Sequence, residues 1–354
     1  MRMAKKVTLK DIADLTGVTA ASVSMILNGK GISRFSPELV ERVRSAAQEL
    51  HYATPSSTGG QRQIAVISPS LNNPYHTTII MGIERAAISC GYISATYNTY
   101  WNPDTELTIL RQLEKKNVAG IIYVMNPLQL EMVHALDRRI PIVAVGDIVN
   151  DLEIDTVDIN NFNAGKLVAE HLIELGHKNI AYLTTSLNAH HIARVRRYEG
   201  LLATYRERCP EGSVSLFCKE VKYEEELQTD VELLSGRELA RECLREPKIT
   251  AVVAINDMVG YGVLDEFHER GLHVPEDYSL CGFDNVFPST FGRMSITTVD
   301  HSTIYHGGHA FHMLKEKIDS AQHSGEVHPI TRAEYKSRLI VRGSTAAPRK
   351  EKPE

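Results

Sequence analysis

The 354-residue sequence predicts a small all-α N-terminal domain followed by a two-lobed α/β domain built on parallel sheets. Between 8 and 52 the chain reads as three short capped helices. From 64 onward, short apolar runs alternate with helical stretches in two successive blocks. A segment rich in Pro, Ser, Thr and Gly separates the two patterns and indicates a connector. We therefore expect domains at 1–52 and 64–345, joined by a linker at 53–63.

Charge is distributed unevenly along the chain, whose net charge is −5. Residues 1–62 hold nine of the 39 Lys and Arg and five of the 44 Asp and Glu. A basic head on an acidic body indicates that the head approaches a polyanion. The sequence has no apolar run of the ~18 residues that a membrane span needs, and its first residues lack the apolar core of a signal peptide. We therefore expect a cytoplasmic protein without membrane contact. The five scattered cysteines lack metal-site spacing, so we expect free thiols and no cofactor.

The head carries clear helix boundaries. Thr8 and Asp11 have the spacing of a capping box, and Gly17 ends that first helix. Thr19 is the expected cap of a second helix at 20–27, and Ser36-Pro37 begins a third. Two short helices joined through a Gly turn and supported by a third form the arrangement that places one helix in the DNA major groove. A three-helix bundle without a DNA role has the same pattern and stays open at this point.

The stretch VTLKDIADLTGVTAASVSMILNG at 7–29 resembles the head of the lac/gal repressor family, and the resemblance continues to His51-Tyr52. It implies a homodimer whose two heads bind a near-palindromic operator in double-stranded DNA. In that family the early positions of the second helix and a later Arg contact bases. The matching residues are Ala20, Ala21 and Met25, which can contact thymine methyl groups but cannot hydrogen-bond a base edge. Lys30 and Arg34 are expected phosphate contacts. The predicted DNA-contacting set is Thr8, Thr19, Ala20, Ala21, Ser22, Ser24, Met25, Asn28, Lys30 and Arg34.

The linker departs from the family pattern. Relatives have a short helix there that inserts a Leu into the minor groove, whereas 53–63 contains no Leu, Ile, Met or Phe. Gly59-Gly60 also disfavours a helix. Because a minor-groove wedge needs a large apolar side chain, we predict that this protein bends its operator little.

The body contains strand-like runs in two blocks and resembles the bacterial sugar-binding proteins of the periplasm, notably at 156–165, 171–177, 256–262 and 274–285. The resemblance implies that the chain passes between the lobes more than once and that a helix at 302–320 returns to the first lobe. We expect lobe 1 at 64–158 plus 300–322 and lobe 2 at 159–287 plus 328–342. The strand-like runs are Ile64–Ser68, Tyr92–Asn98, Ala119–Met125, Ile140–Gly146, Asn179–Thr185, Val214–Val221, Thr250–Asn256 and Tyr278–Asp284.

Ligands of such folds bind beyond the carboxyl ends of the strands, which here is the cleft between the lobes. In the family the positions of Arg197 and Asp284 commonly clamp a small-molecule effector. A carboxylate accepts hydrogen bonds from two vicinal hydroxyls, and a guanidinium donates two parallel ones. Tyr75 offers a ring for an apolar face. Asp284 could instead cap the turn after its strand. We favour a sugar or sugar derivative, with a purine or a protein co-regulator as alternatives. The predicted effector-binding set is Tyr75, His76, His191, Arg197, Asn256 and Asp284.

Several residues near this set carry alternative interpretations. Asp257 fits a helix cap better than a ligand contact, because Asn256-Asp257 opens a helix. His190 and His191 could form a metal pair, but neighbouring side chains on a helix point apart, so a solvated loop is favoured. The family often has an aromatic residue facing the ligand from lobe 2. The aligned residues here are Asp230-Val231, and Tyr223 is the candidate replacement.

Catalysis is the main competing class of function. The sequence has no G-x-S-x-G elbow, no P-loop and no G-x-G-x-x-G after a strand. Asp257 and Asp284 could form an acid–base pair, but no nucleophile or metal cluster accompanies them. A stand-alone binding protein is disfavoured by the attached head. We therefore predict that the protein is not an enzyme but a DNA-binding transcription regulator, a repressor, controlled by a small molecule.

Overall fold

The computed structural model describes residues 7–27, 34–50, 62–116, 118–147, 152–188, 191–292, 295–321 and 329–349. Contacts divide the chain into two compact units, Met1–Arg62 and Gln63–Glu354. The predicted linker residues 53–61 lie outside the described residues.

The described residues of the first unit form three helices, α1 Leu9–Thr16, α2 Ala20–Leu27 and α3 Pro37–Glu49. Thr8 and Asp11 form the predicted capping box, in which the Thr8 amide donates to Asp11 Oδ2 at 2.6 Å and the Asp11 amide donates to Thr8 Oγ1 at 3.4 Å. Gly17 ends α1 with a left-handed φ of 72°, as its sequence position predicts. The three helices enclose a small apolar core of Ile12, Ala13, Val23, Ile26, Val40, Val43, Ala46 and Ala47.

The second unit alternates strands and helices. Its first block runs β1 Arg62–Ser68, α4 Pro74–Ser89, β2 Tyr92–Asn98, α5 Pro103–Lys115, β3 Gly120–Tyr123, α6 Leu130–Asp137, β4 Ile142–Asp147 and β5 Asp155–Ile159. The second block runs α7 Asn161–Glu174, β6 Asn179–Thr185, α8 Ile192–Arg208, β7 Ser213–Lys219, α9 Tyr223–Glu226, α10 Val231–Cys243, β8 Ala251–Ala254, α11 Asp257–Glu269, β9 Ser279–Phe283, a 3-10 turn Phe287–Thr290 and β10 Thr297–Asp300. The chain then continues as α12 Thr303–Ala321, β11 Arg332–Tyr335 and β12 Arg338–Ile340.

The described strands form two sheets with the same strand order, β2-β1-β3-β4-β5-β11 and β7-β6-β8-β9-β10-β12. The recorded pairings are parallel except that of β12 with β10, which is antiparallel. Helices cover both faces of the sheets, which explains why most central strands are continuous apolar runs rather than alternating ones. This is the predicted two-lobed parallel α/β architecture.

The chain passes between the lobes three times: after β5, after β10 and between β11 and β12. Helix α12 packs against α4, so the predicted return to the first lobe is confirmed. The assignment of all of 328–342 to lobe 2 was wrong, because Arg332–Tyr335 pairs with β5 in the first sheet and only β12 joins the second. These short edge strands are largely exposed, so no apolar pattern distinguished them in the sequence.

Side-chain contacts link the third connection and its flanking strands, β11 and β12, to residues at or beside the other two connections. Asn160, in the first connection, donates from Nδ2 to Glu334 Oε1 at 2.9 Å. The Nδ1 atom of His301, in the second connection, lies 2.8 Å from the hydroxyl oxygen of Ser337. Arg338 donates to Asp300 at 3.0 Å.

Three helix pairs, α4 with α12, α7 with α8 and α10 with α11, cross at backbone contact. On each helix of a pair a glycine faces the partner, and an added Cβ would lie 2.0 or 2.1 Å from a backbone oxygen of that partner. Any residue larger than glycine therefore cannot occupy these positions unless the two helices move apart. The six residues are Gly82 and Gly307, Gly165 and Gly200, and Gly236 and Gly262.

Two further features concern the described ranges. None of their helices combines the length and apolar character that crossing a membrane requires. The five cysteines are free thiols.

Candidate functional site

The first unit displays part of the predicted DNA-contacting set at the start of α2. Eight of the ten residues are described, while Asn28 and Lys30 lie outside the described residues. Three of the eight, Ser22, Ser24 and Met25, are half-buried. The exposed ones are Thr8, Thr19, Ala20, Ala21 and Arg34.

Thr19 begins α2 in the way its sequence position predicts. Its Oγ1 accepts a hydrogen bond from the Ser22 amide at 3.1 Å and lies 2.9 Å from the Ser22 hydroxyl. The exposed end of α2 therefore presents hydroxyls beside the methyl groups of Ala20 and Ala21. These groups suit phosphate oxygens and thymine methyls, and the contacts to DNA remain predictions.

The second unit holds a cavity of about 140 Å³ between its lobes. Residues at the carboxyl ends of strands line it from both sides, among them Ser70 after β1, Asp147 at the end of β4 and Thr185 at the end of β6. All of the predicted effector-binding residues line it: Tyr75, His76, His191, Arg197, Asn256 and Asp284.

Arg197, on α8, is buried and held by four hydrogen bonds. It donates from Nε to Asn161 Oδ1 at 2.7 Å, from Nη1 to the Ile255 carbonyl at 2.6 Å, and from Nη2 to Asp284 Oδ1 at 3.1 Å. Its Nη2 also lies 3.2 Å from His301 Nε2. Because a guanidinium has five N–H groups, one remains for a ligand in this conformation. The expected pair of parallel hydrogen bonds to a ligand is therefore not available without rearrangement.

Asp284 is placed by a sharp turn out of β9, where its φ of 100° lies in the left-handed region. Its carboxylate pairs with Arg197 rather than capping that turn. Burial raises the pKa of the Asp284 carboxyl above its usual range, and the Arg197 guanidinium partly offsets this effect. Among the described residues no donor reaches Asp284 Oδ2, so this oxygen can accept from a ligand hydroxyl.

Glu232, near the start of α10, joins the two lobes across the cavity. Its carboxylate accepts from Asn256 Nδ2 at 2.7 Å within lobe 2 and from Asn73 Nδ2 at 2.9 Å in lobe 1. Asn72 adds a second link by donating to the Gln228 carbonyl at 3.2 Å. Burial raises the pKa of the Glu232 carboxyl, whereas the charge of the nearby Arg194 guanidinium acts to lower it. Glu232 was not predicted from the sequence, although it lies two residues beyond the Asp230 position that was considered.

Tyr75 and His76 enter the cavity from the first turn of α4, which Asn73 caps by accepting from the Tyr75 amide at 2.8 Å. Burial and, to a lesser extent, the nearby Arg194 guanidinium lower the pKa of His76 to about 3, so this imidazole is neutral. Its buried Nδ1 has no hydrogen-bond partner among the described residues. Tyr75 is half-buried, and desolvation raises the pKa of its hydroxyl. His76 Nδ1 is thus available for a hydrogen bond with a ligand.

His191 and Trp101 meet from opposite lobes, with ring centroids 4.4 Å apart. His191 precedes α8 and is buried, so its assignment to a solvated loop was wrong; the ring packs against Trp101 instead. His190 lies outside the described residues. Trp101, in the loop that follows β2, was missed, although the position of an aromatic residue after a predicted strand was a usable signal.

Two other expectations need correction. Asn256, not Asp257, caps α11, by accepting from the Val259 amide at 2.9 Å. Asp257 is fully buried and accepts from the Thr298 hydroxyl at 2.7 Å, outside the cavity lining. Tyr223 is 41% exposed and does not line the cavity, so it does not replace the missing aromatic residue of lobe 2.

The cavity walls combine charges of both signs. The lining contains the guanidinium groups of Arg194 and Arg197 together with the carboxyl groups of Asp147, Glu226, Asp230, Glu232 and Asp284. Within the part of the chain that the structure describes, no group of three or more His, Cys, Asp and Glu side chains is arranged to hold a metal ion. Side chains of both lobes can therefore form hydrogen bonds with a polar ligand in the cavity.

The fold and the cavity together define a class: a two-lobed α/β protein with a ligand-sized interlobe cavity, carried on one chain with a helix-turn-helix unit. Comparison with known families is consistent with both parts. Residues 61–338 match "Periplasmic binding proteins and sugar binding domain of LacI family". Residues 8–55 match "Bacterial regulatory proteins, lacI family". The chain belongs to the LacI family of DNA-binding transcription regulators.

Relatives and solved structures agree with this assignment. The chain is 30% identical over 348 residues to the HTH-type transcriptional repressor PurR of Haemophilus influenzae (strain PittEE), covering 95% of this chain and 98% of that protein. A LacI-family transcriptional regulator from Silicibacter pomeroyi has the same fold, with a TM-score of 0.74, 23% identity, and coverage of 96% and 99%. A LacI-family regulator from Enterococcus faecium with bound ribose gives a TM-score of 0.68 at 22% identity, covering 80% of this chain and 99% of that one.

Proposed function

We propose that this protein regulates transcription in response to a sugar or sugar derivative that binds between the two lobes. The observation that carries the proposal is the buried Arg197–Asp284 pair on the cavity wall. Asp284 Oδ2 can accept from a ligand hydroxyl, and the remaining Arg197 N–H can donate to a ring or hydroxyl oxygen. The domains would then be a helix-turn-helix head at 1–52 and an effector domain at 64–345.

The charges and polar groups of the cavity favour a neutral, polyhydroxylated ligand. Its carboxyl groups outnumber its two guanidinium groups, which disfavours a phosphorylated or otherwise anionic compound. Carboxylate oxygens and amide groups such as those of Glu232 and Asn256 match the alternating donors and acceptors of hydroxyls. The E. faecium regulator has such a ligand, ribose, bound to it.

A planar heterocycle such as a purine base is the second candidate. The cavity wall includes Tyr75, His76 and Trp101, whose rings suit a flat ligand. The two ligands differ in their need for Asp284: a polyol uses the carboxylate as a double acceptor, whereas a base can lie against the rings without it.

Calorimetry on the full-length protein tests the effector site. D-ribose, D-galactose, D-glucose, adenosine and hypoxanthine are titrated separately into the wild type, Asp284→Asn and Glu114→Gln. Glu114 pairs with Arg139 at 2.8 Å on the surface and serves as the matched control. We expect a sugar to bind the wild type and Glu114→Gln equally, and Asp284→Asn at least about tenfold more weakly, a loss of about 1.4 kcal/mol. Undiminished binding by Asp284→Asn would contradict the proposed site.

We also infer that the head binds a near-palindromic operator as part of a homodimer. Thr19, Ala20 and Ala21 at the exposed end of α2 support base contact, and exposed Arg34 supports phosphate contact. Each phosphate neutralised contributes about −0.9 to the slope of log affinity against log salt concentration. Footprinting that protects a single unsymmetrical half-site would refute the dimer.

The cavity is proposed to bind its ligand without transforming it. Of the acid–base pair considered from the sequence, only Asp284 lines the cavity, while Asp257 accepts from Thr298 outside the lining. The bound sugar should be recovered unchanged after long incubation, as analysed by chromatography. Appearance of a product that scales with protein concentration would overturn this.

A further inference from the structure

The aromatic residue that this family often presents from lobe 2 is absent here. At that position Asp230 is exposed, and the neighbouring Tyr223 does not line the cavity. The Tyr and Trp rings of the cavity wall, Tyr75 and Trp101, both come from lobe 1. These two rings therefore lie on the lobe opposite the Arg197–Asp284 pair, which belongs to lobe 2.

The loop between β2 and α5 fixes Trp101 in this position. At its start the Thr99 amide donates to the Ser68 carbonyl at 2.9 Å. At its end Asn102 caps α5 by accepting from the Thr105 amide at 2.8 Å. Between these anchors Tyr100 and Trp101 both adopt left-handed backbone, with φ of 52° and 55°. Residues with side chains rarely adopt this conformation, and where they do the surrounding structure holds them in it, often at a binding site.

The Trp101 ring reaches the opposite lobe. Its centroid lies 4.4 Å from that of His191 in lobe 2 and 6.5 Å from that of His76 in its own lobe. All three rings line the cavity. The indole thus lies where the two lobes meet and where a ligand between them would have to pack.

We infer that Trp101 is a specificity-determining residue that packs its indole against the apolar face of the effector. The inference rests on the proposed effector function. The ligand then lies with its apolar face toward lobe 1 and its hydroxyls toward Arg197 and Asp284 in lobe 2. Ligands without a flat apolar face are discriminated against by Trp101, not by a residue of lobe 2.

The composition of the chain makes this inference directly testable, because Trp101 is its single tryptophan. Fluorescence excited selectively in the indole therefore reports on one residue of the cavity. D-ribose, D-galactose, D-glucose, adenosine and hypoxanthine are titrated separately into the full-length wild type and followed by fluorescence. The same compounds are titrated by calorimetry into the wild type, Trp101→Phe, Trp101→Ala and Tyr223→Ala. Circular dichroism and gel filtration establish that each variant is folded.

We expect the compound that binds the wild type to change the Trp101 emission with the same dissociation constant that calorimetry gives. Trp101→Ala should bind it about tenfold more weakly, whereas Trp101→Phe, which keeps a ring, should stay within a few-fold of the wild type. Tyr223→Ala should bind as the wild type does. If Trp101→Ala keeps wild-type affinity and the emission does not change, the inference is overturned while the effector function stands. If none of the compounds binds the wild type, the proposed sugar or purine effector fails, and the inference falls with it.

Discussion

The crossing of α7 and α8 makes a quantitative prediction for Gly200→Ala. The added Cβ would lie 2.1 Å from the Phe162 carbonyl oxygen and 3.1 Å from the Lys166 amide nitrogen, which are backbone atoms of α7. Relief requires the two helices to separate by roughly 1 Å, and overpacking of this kind costs about 3 kcal/mol or more. Alanine regains about 1 kcal/mol of helix propensity. We therefore expect a net loss of about 2 kcal/mol in the free energy of unfolding.

The same separation should also reach the cavity. The hydrogen bond of 2.7 Å from Arg197 to Asn161 spans α8 and α7, and lengthening it by roughly 1 Å breaks it. Gly200→Ala should therefore weaken ligand binding as well as stability, although Gly200 does not line the cavity.

Urea unfolding followed by circular dichroism measures the loss against two matched glycines. Gly271 has a φ of 70° and nothing within 4 Å of an added Cβ, so Gly271→Ala should lose about 1 kcal/mol from backbone strain alone. Gly343 has neither constraint, and Gly343→Ala should be unchanged or slightly more stable. If Gly200→Ala is as stable as Gly343→Ala, the helices do not cross at backbone contact and the reasoning is refuted.

Three further predictions concern single side chains. Arg197→Lys should lower ligand affinity by at least about tenfold and should also lower the urea midpoint, because an ammonium group cannot satisfy the four acceptors that the guanidinium contacts. Calorimetry that gives this variant the ligand affinity of the wild type would contradict the prediction. Burial raises the pKa of the Asp257 carboxyl well above its usual range, so the folded state keeps a proton that the unfolded state loses above about pH 4, and stability falls as pH rises. In Asp257→Asn, whose side-chain amide can still form a hydrogen bond with Thr298, the loss of stability between about pH 4 and 7 should be smaller. Urea midpoints measured across that range test this. If the midpoints of the variant fall with pH as steeply as those of the wild type, another group causes the pH dependence. Thr8→Ala removes the capping box with Asp11 and should cost about 1 kcal/mol, seen as roughly fivefold faster hydrogen exchange in α1, whereas unchanged exchange would show that the cap is energetically silent.

Elements with strong local signals were predictable to the residue. The helix at 20–27 and the strands at 92–98 and 179–185 agree with the structure, because a capping Thr marks the helix and residues of high strand propensity mark the strands. Strand β5, Asp155–Ile159, was not predicted as a strand, since three of its five residues are polar and buried. Such a strand is specified by its neighbours in the sheet rather than by an apolar pattern of its own.

The site was predictable where its residues directly follow strands near the middle of a sheet. Asn256 and Asp284 were found in this way, because parallel strands direct their carboxyl ends to one edge. Trp101 depends on the left-handed backbone at 100–101, and Glu232 depends on a hydrogen bond to Asn73 in the other lobe. The backbone conformation and the interlobe hydrogen bond leave no local pattern, so the only signal in the sequence was the position of Trp101 after a predicted strand. The pairing of Arg197 with Asp284 likewise appears only when α8 and β9 are placed together.

The three hydrogen-bonded connections between the lobes restrict how the second unit can deform. A single connection would leave one lobe free to twist and tilt in any direction relative to the other. Three connections tied together by the Asn160–Glu334 and Arg338–Asp300 hydrogen bonds and the His301–Ser337 contact remove most of those degrees of freedom and leave chiefly an opening and closing rotation. One distance measured across the cleft, for example between spin labels on α4 and α10, therefore suffices to describe the state of both lobes.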